Sequence, residues 1–209
     1  MGRYVDAVCK ICRREGMKLF LKGARCYMAK CPLETGRPPP GVHGLRRGRK
    51  PSDYGIQLRE KQRLRRQYGM HEKQFRLFFD RASQRRGVTG EILLQMLELR
   101  LDNLVYRLGF APSRAASRQF VTHGHVRVDG RKADVPSMVL KPGSTIEVKD
   151  DVKSRALAGK SLEAAQGRQM PAWLTVDPKK FAGEVVRTPT REEIAPVVNE
   201  QLIVELYSK

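Results

Sequence analysis

No stretch of this 209-residue chain stays apolar for the roughly 18 residues that carry a helix across a bilayer, and no charged-then-apolar leader opens it. A membrane-spanning or exported protein is therefore not expected, and a cytoplasmic one is. Aromatic residues are few, 7% of the chain with a single tryptophan, so its cores should be small and aliphatic. A P-loop, a dinucleotide-binding glycine fingerprint and a carboxylate–histidine metal pattern are all missing. Asp150 and Asp151 are adjacent acids, but consecutive side chains point apart in strand and helix alike. No enzyme is expected. Acidic residues are the last shortage: 22 Asp and Glu stand against 41 Lys and Arg, a formal charge of +19.

A one-signed excess of that size points to a polyanionic partner, with nucleic acid ahead of an anionic membrane surface. The charge is uneven. Residues 1–98 hold 23 basic and 9 acidic residues, whereas from Asp177 onward there are 5 and 6. Polyanion binding is thus expected in the N-terminal two-thirds, with the near-neutral tail packing on protein. The segment LRRGRKPSD (45–53) sets Arg46, Arg47, Arg49 and Lys50 among glycine and proline, a composition that orders on RNA more readily than alone. A solvated linker is its competing reading.

Periodicity predicts a helix from Ser52, as N-cap, to about Gln67, with Arg59, Arg63 and Arg66 at i, i+4 and i+7 as candidate RNA-binding residues. Phe75, Phe78, Phe79 and Ala82 mark a second amphipathic helix after Gly69, and residues 90–99 a third, strongly apolar one. A helix is expected near 153–166, short strands around 173–176 and 183–186, and an end segment at 202–207.

All four cysteines fall within 23 residues, as Cys9-x2-Cys12 and Cys26-x4-Cys31. The first spacing lets two thiolates close on one tetrahedral metal, and the second is at the upper edge of the usual range. Neighbouring Lys and Arg are expected to favour thiolates. Two disulfides, or four unrelated thiols, are the alternatives. Zn2+ is the default occupant, and a 4Fe–4S iron–sulfur cluster uses the same number of cysteines. The metal would be structural, shaping an arm too small to own a core.

Between Leu99 and Val148 the pattern changes. Pro112-Ser113 suit a helix start and Gly124 a helix end, so Arg114 and Arg118 share one helical face. Val126 and Val128 then alternate with His125 and Arg127, and Asp129-Gly130 fits a two-residue hairpin turn followed by Arg131 and Lys132. A basic helix face beside a basic hairpin tip suits a phosphate backbone. Asp102 fits a helix N-cap, and Arg107 either an RNA contact or a charge at a helix C-terminus.

RLD (100–102), LGF (108–110), SR (113–114), GHVRVDG (124–130), PS (136–137) and PGSTIEV (142–148) resemble the S-four RNA-binding domain. MGRYVDAVCKICRREG, the stretch 45–76 and the terminal LIVELYSK extend the resemblance, over essentially the whole chain, to the bacterial small-subunit ribosomal protein four family. A pseudouridine synthase carrying such a domain would need a catalytic domain for which there is no room. A zinc-dependent DNA-binding regulator would concentrate its basic surface at one recognition helix, whereas here it spreads over about 90 residues.

The fold expected is α+β: a metal-binding arm and basic linker (1–50), a mainly helical domain (51–98) completed by 177–209, and a small S-four helix–helix–hairpin domain with a following helix and strands (99–176). The resemblance implies RNA contact by Arg114, Arg118, Arg127, Arg131 and Lys132. His123 and His125 are candidates for phosphate or base contact, or simple surface residues. It also implies primary binding to 16S rRNA at a multi-helix junction, nucleation of assembly of the subunit body, contact with ribosomal protein five at a surface linked to decoding accuracy, and a place near the path by which mRNA enters. A stand-alone homo-oligomer is not expected.

Overall fold

The computed structural model describes residues 4–44, 50–165, 170–194 and 198–208. Arg46, Arg47 and Arg49 lie outside the described residues. The chain divides into two compact units, Met1–Leu93 with Pro196–Lys209, and Leu94–Ala195.

The first unit is helical. Its arm carries α1 (Cys9–Glu15), ended by Gly16 in the left-handed conformation, and a 3-10 turn (Gly23–Tyr27). Then come α2 (Asp53–Gln67), α3 (Glu72–Ser83) and α4 (Thr89–Glu98), which runs past the division at residue 93. Ser52 caps α2 as its sequence demands, accepting the Gly55 N–H at 3.3 Å. Leu64, Phe75, Phe78, Phe79 and Ala82 are buried.

In the second unit α5 (Leu101–Arg107) and α6 (Arg114–Thr122) precede β1 (Val126–Val128), β2 (Arg131–Lys132) and β3 (Thr145–Val148). They are followed by α7 (Val152–Ala165), β4 (Leu174–Asp177), β5 (Ala182–Val185) and a short α8 (Arg191–Ile194). The strands form one antiparallel sheet ordered β2-β1-β3-β5-β4. Asp129 and Gly130 both have positive φ, 49° and 76°, the signature of a type I′ hairpin turn. Leu104, Leu108, Phe120, Val121, Ile146, Trp173 and Val185 are among the residues of the apolar core. A side chain at Gly183 would meet Leu108 at 2.5 Å, so glycine is what lets β5 lie close on the Leu108 side chain just after α5.

The last helix, α9 (Glu200–Tyr207), returns to the first unit and lies along α2. Gln57 donates to Glu205 at 2.9 Å, Glu60 accepts the Asn199 N–H at 3.0 Å, and the Tyr207 ring lies 4.5 Å from that of Phe79. The division expected from sequence differs here. Residues 177–209 do not all complete the helical unit, because β5 is inserted between β3 and β4 by backbone pairing and holds 182–185 in the sheet. Only the segment beginning at 196 clusters with the helices.

Candidate nucleic-acid interface and cysteine cluster

Cys9 and Cys12, one turn apart on α1, share a cavity of about 20 Å3 with Cys26 and Cys31, walled by Lys18, Phe20, Pro32 and Leu33. The Lys22 N–H donates to Cys26 Sγ at 3.3 Å. All four thiols are free, and Cys26 and Cys31 are buried. Among the described residues no three His, Cys, Asp or Glu side chains already stand as a metal shell. The basic neighbours do not govern Cys12. Burial pushes its thiol up, a backbone hydrogen bond from Leu19 partly opposes this, and the other three cysteines raise it further.

Arg59, Arg63 and Arg66, the basic row of α2, converge on the carboxylate of Glu15 at the end of α1. Arg59 Nη1 is 3.4 Å from Oε1 and Arg63 Nε 3.7 Å from Oε2, and Arg66 Nη1 also reaches Oε1. Arg63 further donates to the Glu15 carbonyl at 3.3 Å and pairs with Glu60. The Glu15 side chain is wholly buried, while the three arginines stay 26–45% exposed. Thus the acid lies beneath, and the arginine side chains that reach it remain partly exposed.

A second network fills the second unit. Glu98, fully buried, accepts from Arg107 at 2.7 and 2.9 Å and from Asn103 Nδ2 at 2.7 Å. Asn103 Oδ1 in turn accepts from Arg114 Nε at 2.8 Å, and the Arg114 guanidinium sits 4.8 Å above the Tyr106 ring. Asp102 accepts from buried Arg100 at 2.9 and 3.1 Å and from Arg118 at 3.2 Å. Asp102 is therefore not the N-cap expected from sequence. Arg100 occupies that place without a side-chain cap, and Asp102 lies in the first turn, where two arginines hold it. Arg107 is in the last turn of α5, bound to Glu98.

The helix read from Pro112 to Gly124 forms as α6, with Ser113 accepting the Ala116 N–H at 3.3 Å. Arg127, Arg131 and Lys132 are exposed on the hairpin, and register sets Arg127 opposite both Lys132 and Glu147. The Lys132 stem crosses Gly124 so closely that a side chain there would meet its Cε at 2.8 Å. His123 is exposed. His125 instead stacks on Phe120 at 4.8 Å and shares a 2.8 Å hydrogen bond with Ser154. Burial lowers its pKa, His123 and Lys149 add to this, and Asp151 opposes it. Lys50 is exposed.

Two groups escaped the sequence reading. The buried partners Glu15, Glu98 and Asn103 are one, although Glu15 is the only acid between Asp6 and Glu34 in a basic arm. The other is the outer face of α3 and the turn after it, where Lys73, Arg76, Arg81, Arg85 and Arg86 are exposed.

Residues 3–98 match the family described as ribosomal protein S4/S9 N-terminal domain, and residues 99–146 match the S4 domain. The chain is 52% identical over 209 residues to the small ribosomal subunit protein uS4 of Thermus thermophilus, 53% to uS4A of Symbiobacterium thermophilum and 54% to uS4 of Syntrophomonas wolfei. Each similarity covers the whole of both chains.

Proposed function

This chain belongs to the small-subunit ribosomal protein S4 family, whose members are structural and not enzymatic, and from that premise we propose that it binds 16S rRNA in the small subunit of the cytoplasmic ribosome. The observation that carries the RNA reading is the exposed hairpin of Arg127, Arg131 and Lys132, paired in the antiparallel sheet, with the Lys132 stem passing Gly124 just after α6. The formal charge of +19 supplies long-range attraction, and the arginines clamped to buried acids supply fixed shape. In finer detail the protein sits at a multi-helix junction of the subunit body and nucleates assembly of that body. It touches ribosomal protein five at a surface bearing on decoding accuracy, and lies near the path by which mRNA enters. A footprint of the purified protein on transcribed 16S rRNA tests this. Protection concentrated at one helical junction is the expected result, and uniform or absent protection would count against it.

The arm holds a structural metal on Cys9, Cys12, Cys26 and Cys31, with Zn2+ the first choice and a 4Fe–4S cluster the alternative. Four sulfur donors around one small cavity, one of them already receiving a backbone N–H, fit either occupant. Bound metal would supply folding free energy to residues that bury little else. Metal and labile-sulfide analysis of anaerobically purified protein distinguishes the two.

A further inference from the structure

We propose that Glu15 is a specificity-determining positioning residue: its buried carboxylate fixes Arg59, Arg63 and Arg66 as one rigid array that accepts a folded RNA backbone and discriminates against a flexible one. The proposal rests on the RNA reading above and deepens it. Three arginines meet two carboxylates here, Glu15 and Glu60, so the cluster keeps a net positive charge at the surface. Each guanidinium has five N–H groups in a fixed fork. Those turned to Glu15 set its orientation, and the exposed remainder is free of rotational search when a phosphate arrives.

The geometry is not that of an ordinary surface ion pair. The acid is wholly buried and its partners partly exposed, the reverse of a solvated acid screening a basic patch. Glu15 Oε2 accepts no hydrogen bond, and Arg63 Nε, 3.7 Å away, donates none. Glu15 also ends α1, the helix that carries Cys9 and Cys12. The carboxylate therefore ties the register of the cysteine arm to the array on α2.

The test is filter binding of the full chain across a salt series, to transcribed 16S rRNA and to poly(U), with thermal melting of each variant. Glu15→Gln keeps shape and removes the anchoring charge. Binding to poly(U) should strengthen and its log–log salt slope steepen by about 1, while the preference for 16S rRNA over poly(U) falls roughly tenfold as three side chains become mobile. Glu15→Asp keeps the charge but shortens the reach, so the slope should stay and the preference still fall. An unchanged preference in both variants overturns the proposal. So does a parallel loss of affinity for both RNAs that tracks a lower melting temperature, the mark of a merely structural acid. Should the unaltered chain itself show no preference, the RNA reading fails and this proposal with it.

Discussion

At the scale of single residues, arginines that look equivalent in sequence divide by what lies under them. Arg127 and Lys132 are exposed on a two-residue turn. Replacing both with alanine should reduce the salt slope of RNA binding by roughly 2 and leave the melting temperature nearly unchanged. Arg114 and Arg118 instead hold Asn103 and buried Asp102. Their double alanine variant should lower stability by roughly 1–3 kcal/mol, through polar groups left without partners, besides any loss of affinity. Urea unfolding followed beside salt-dependent binding separates the two cases, and equal stability losses would show the division to be wrong. His125 gives a pH readout. Its folded pKa lies below the ordinary 6.5, so near that pH the unfolded chain binds more protons and folding is disfavoured by acid. The contribution is complete above about pH 6.5 and is lost as pH falls from there through the folded value. His125→Asn should flatten this part of the urea midpoint against pH. A decline as steep as in the parent would assign it to other groups.

At the scale of elements, the two ends of the sequence behave differently in the fold. Local signals sufficed where an element is set by its own residues: Ser52 and Ser113 as caps, the aromatic spacing of α3, and Asp129-Gly130 as a turn. They failed where long-range pairing decides. Charge counting put everything from Asp177 on one side, but β5 is committed to the sheet by its bonds to β3 and β4, and no local pattern in AGEV reveals its neighbours. Two truncations test the distinction. Ending the chain after Val198 removes α9, and with it the hydrogen bond from Gln57 to Glu205 and the Phe79–Tyr207 ring contact. Amide exchange should then accelerate in α2 and α3 but not in β1, β3 or β5. Ending it after Asp177 deletes β5 as well and should expose Val148 and Ile146, collapsing protection in the second unit. Intact sheet protection after the longer deletion would contradict the central place of β5.

At the scale of the whole molecule, the parts rest on different sources of stability. The second unit has an apolar core of Leu, Val, Ile, Phe and Trp side chains, and the helices after Ser52 bury Leu64 and the α3 aromatics. Among the described residues of the arm, the buried apolar side chains are Leu19, Cys26 and Cys31. Sequence spacing alone singled out the four cysteines, and the fold does bring them to one cavity. It could not reveal that the basic row of α2 would close over Glu15, since that contact joins residues 44 to 51 positions apart. The ion cluster of Glu15 is one support of the arm, and the metal proposed for the four cysteines would be a second. A structural zinc contributes an apparent roughly 10–16 kcal/mol in small zinc peptides at neutral pH, far above what a partly exposed ion cluster returns. Strong chelation, or Cys12→Ser, is therefore expected to open residues 4–44 to protease while α2, α3 and the S4 domain remain protected. RNA binding should weaken through loss of the arm and of the array that Glu15 orders, without vanishing, because the hairpin of Arg127, Arg131 and Lys132 is untouched. Limited proteolysis with metal analysis checks the order of events. An arm that stays protected in protein carrying far less than one metal per chain would show that Glu15 and its arginines suffice, and would remove the metal from the account.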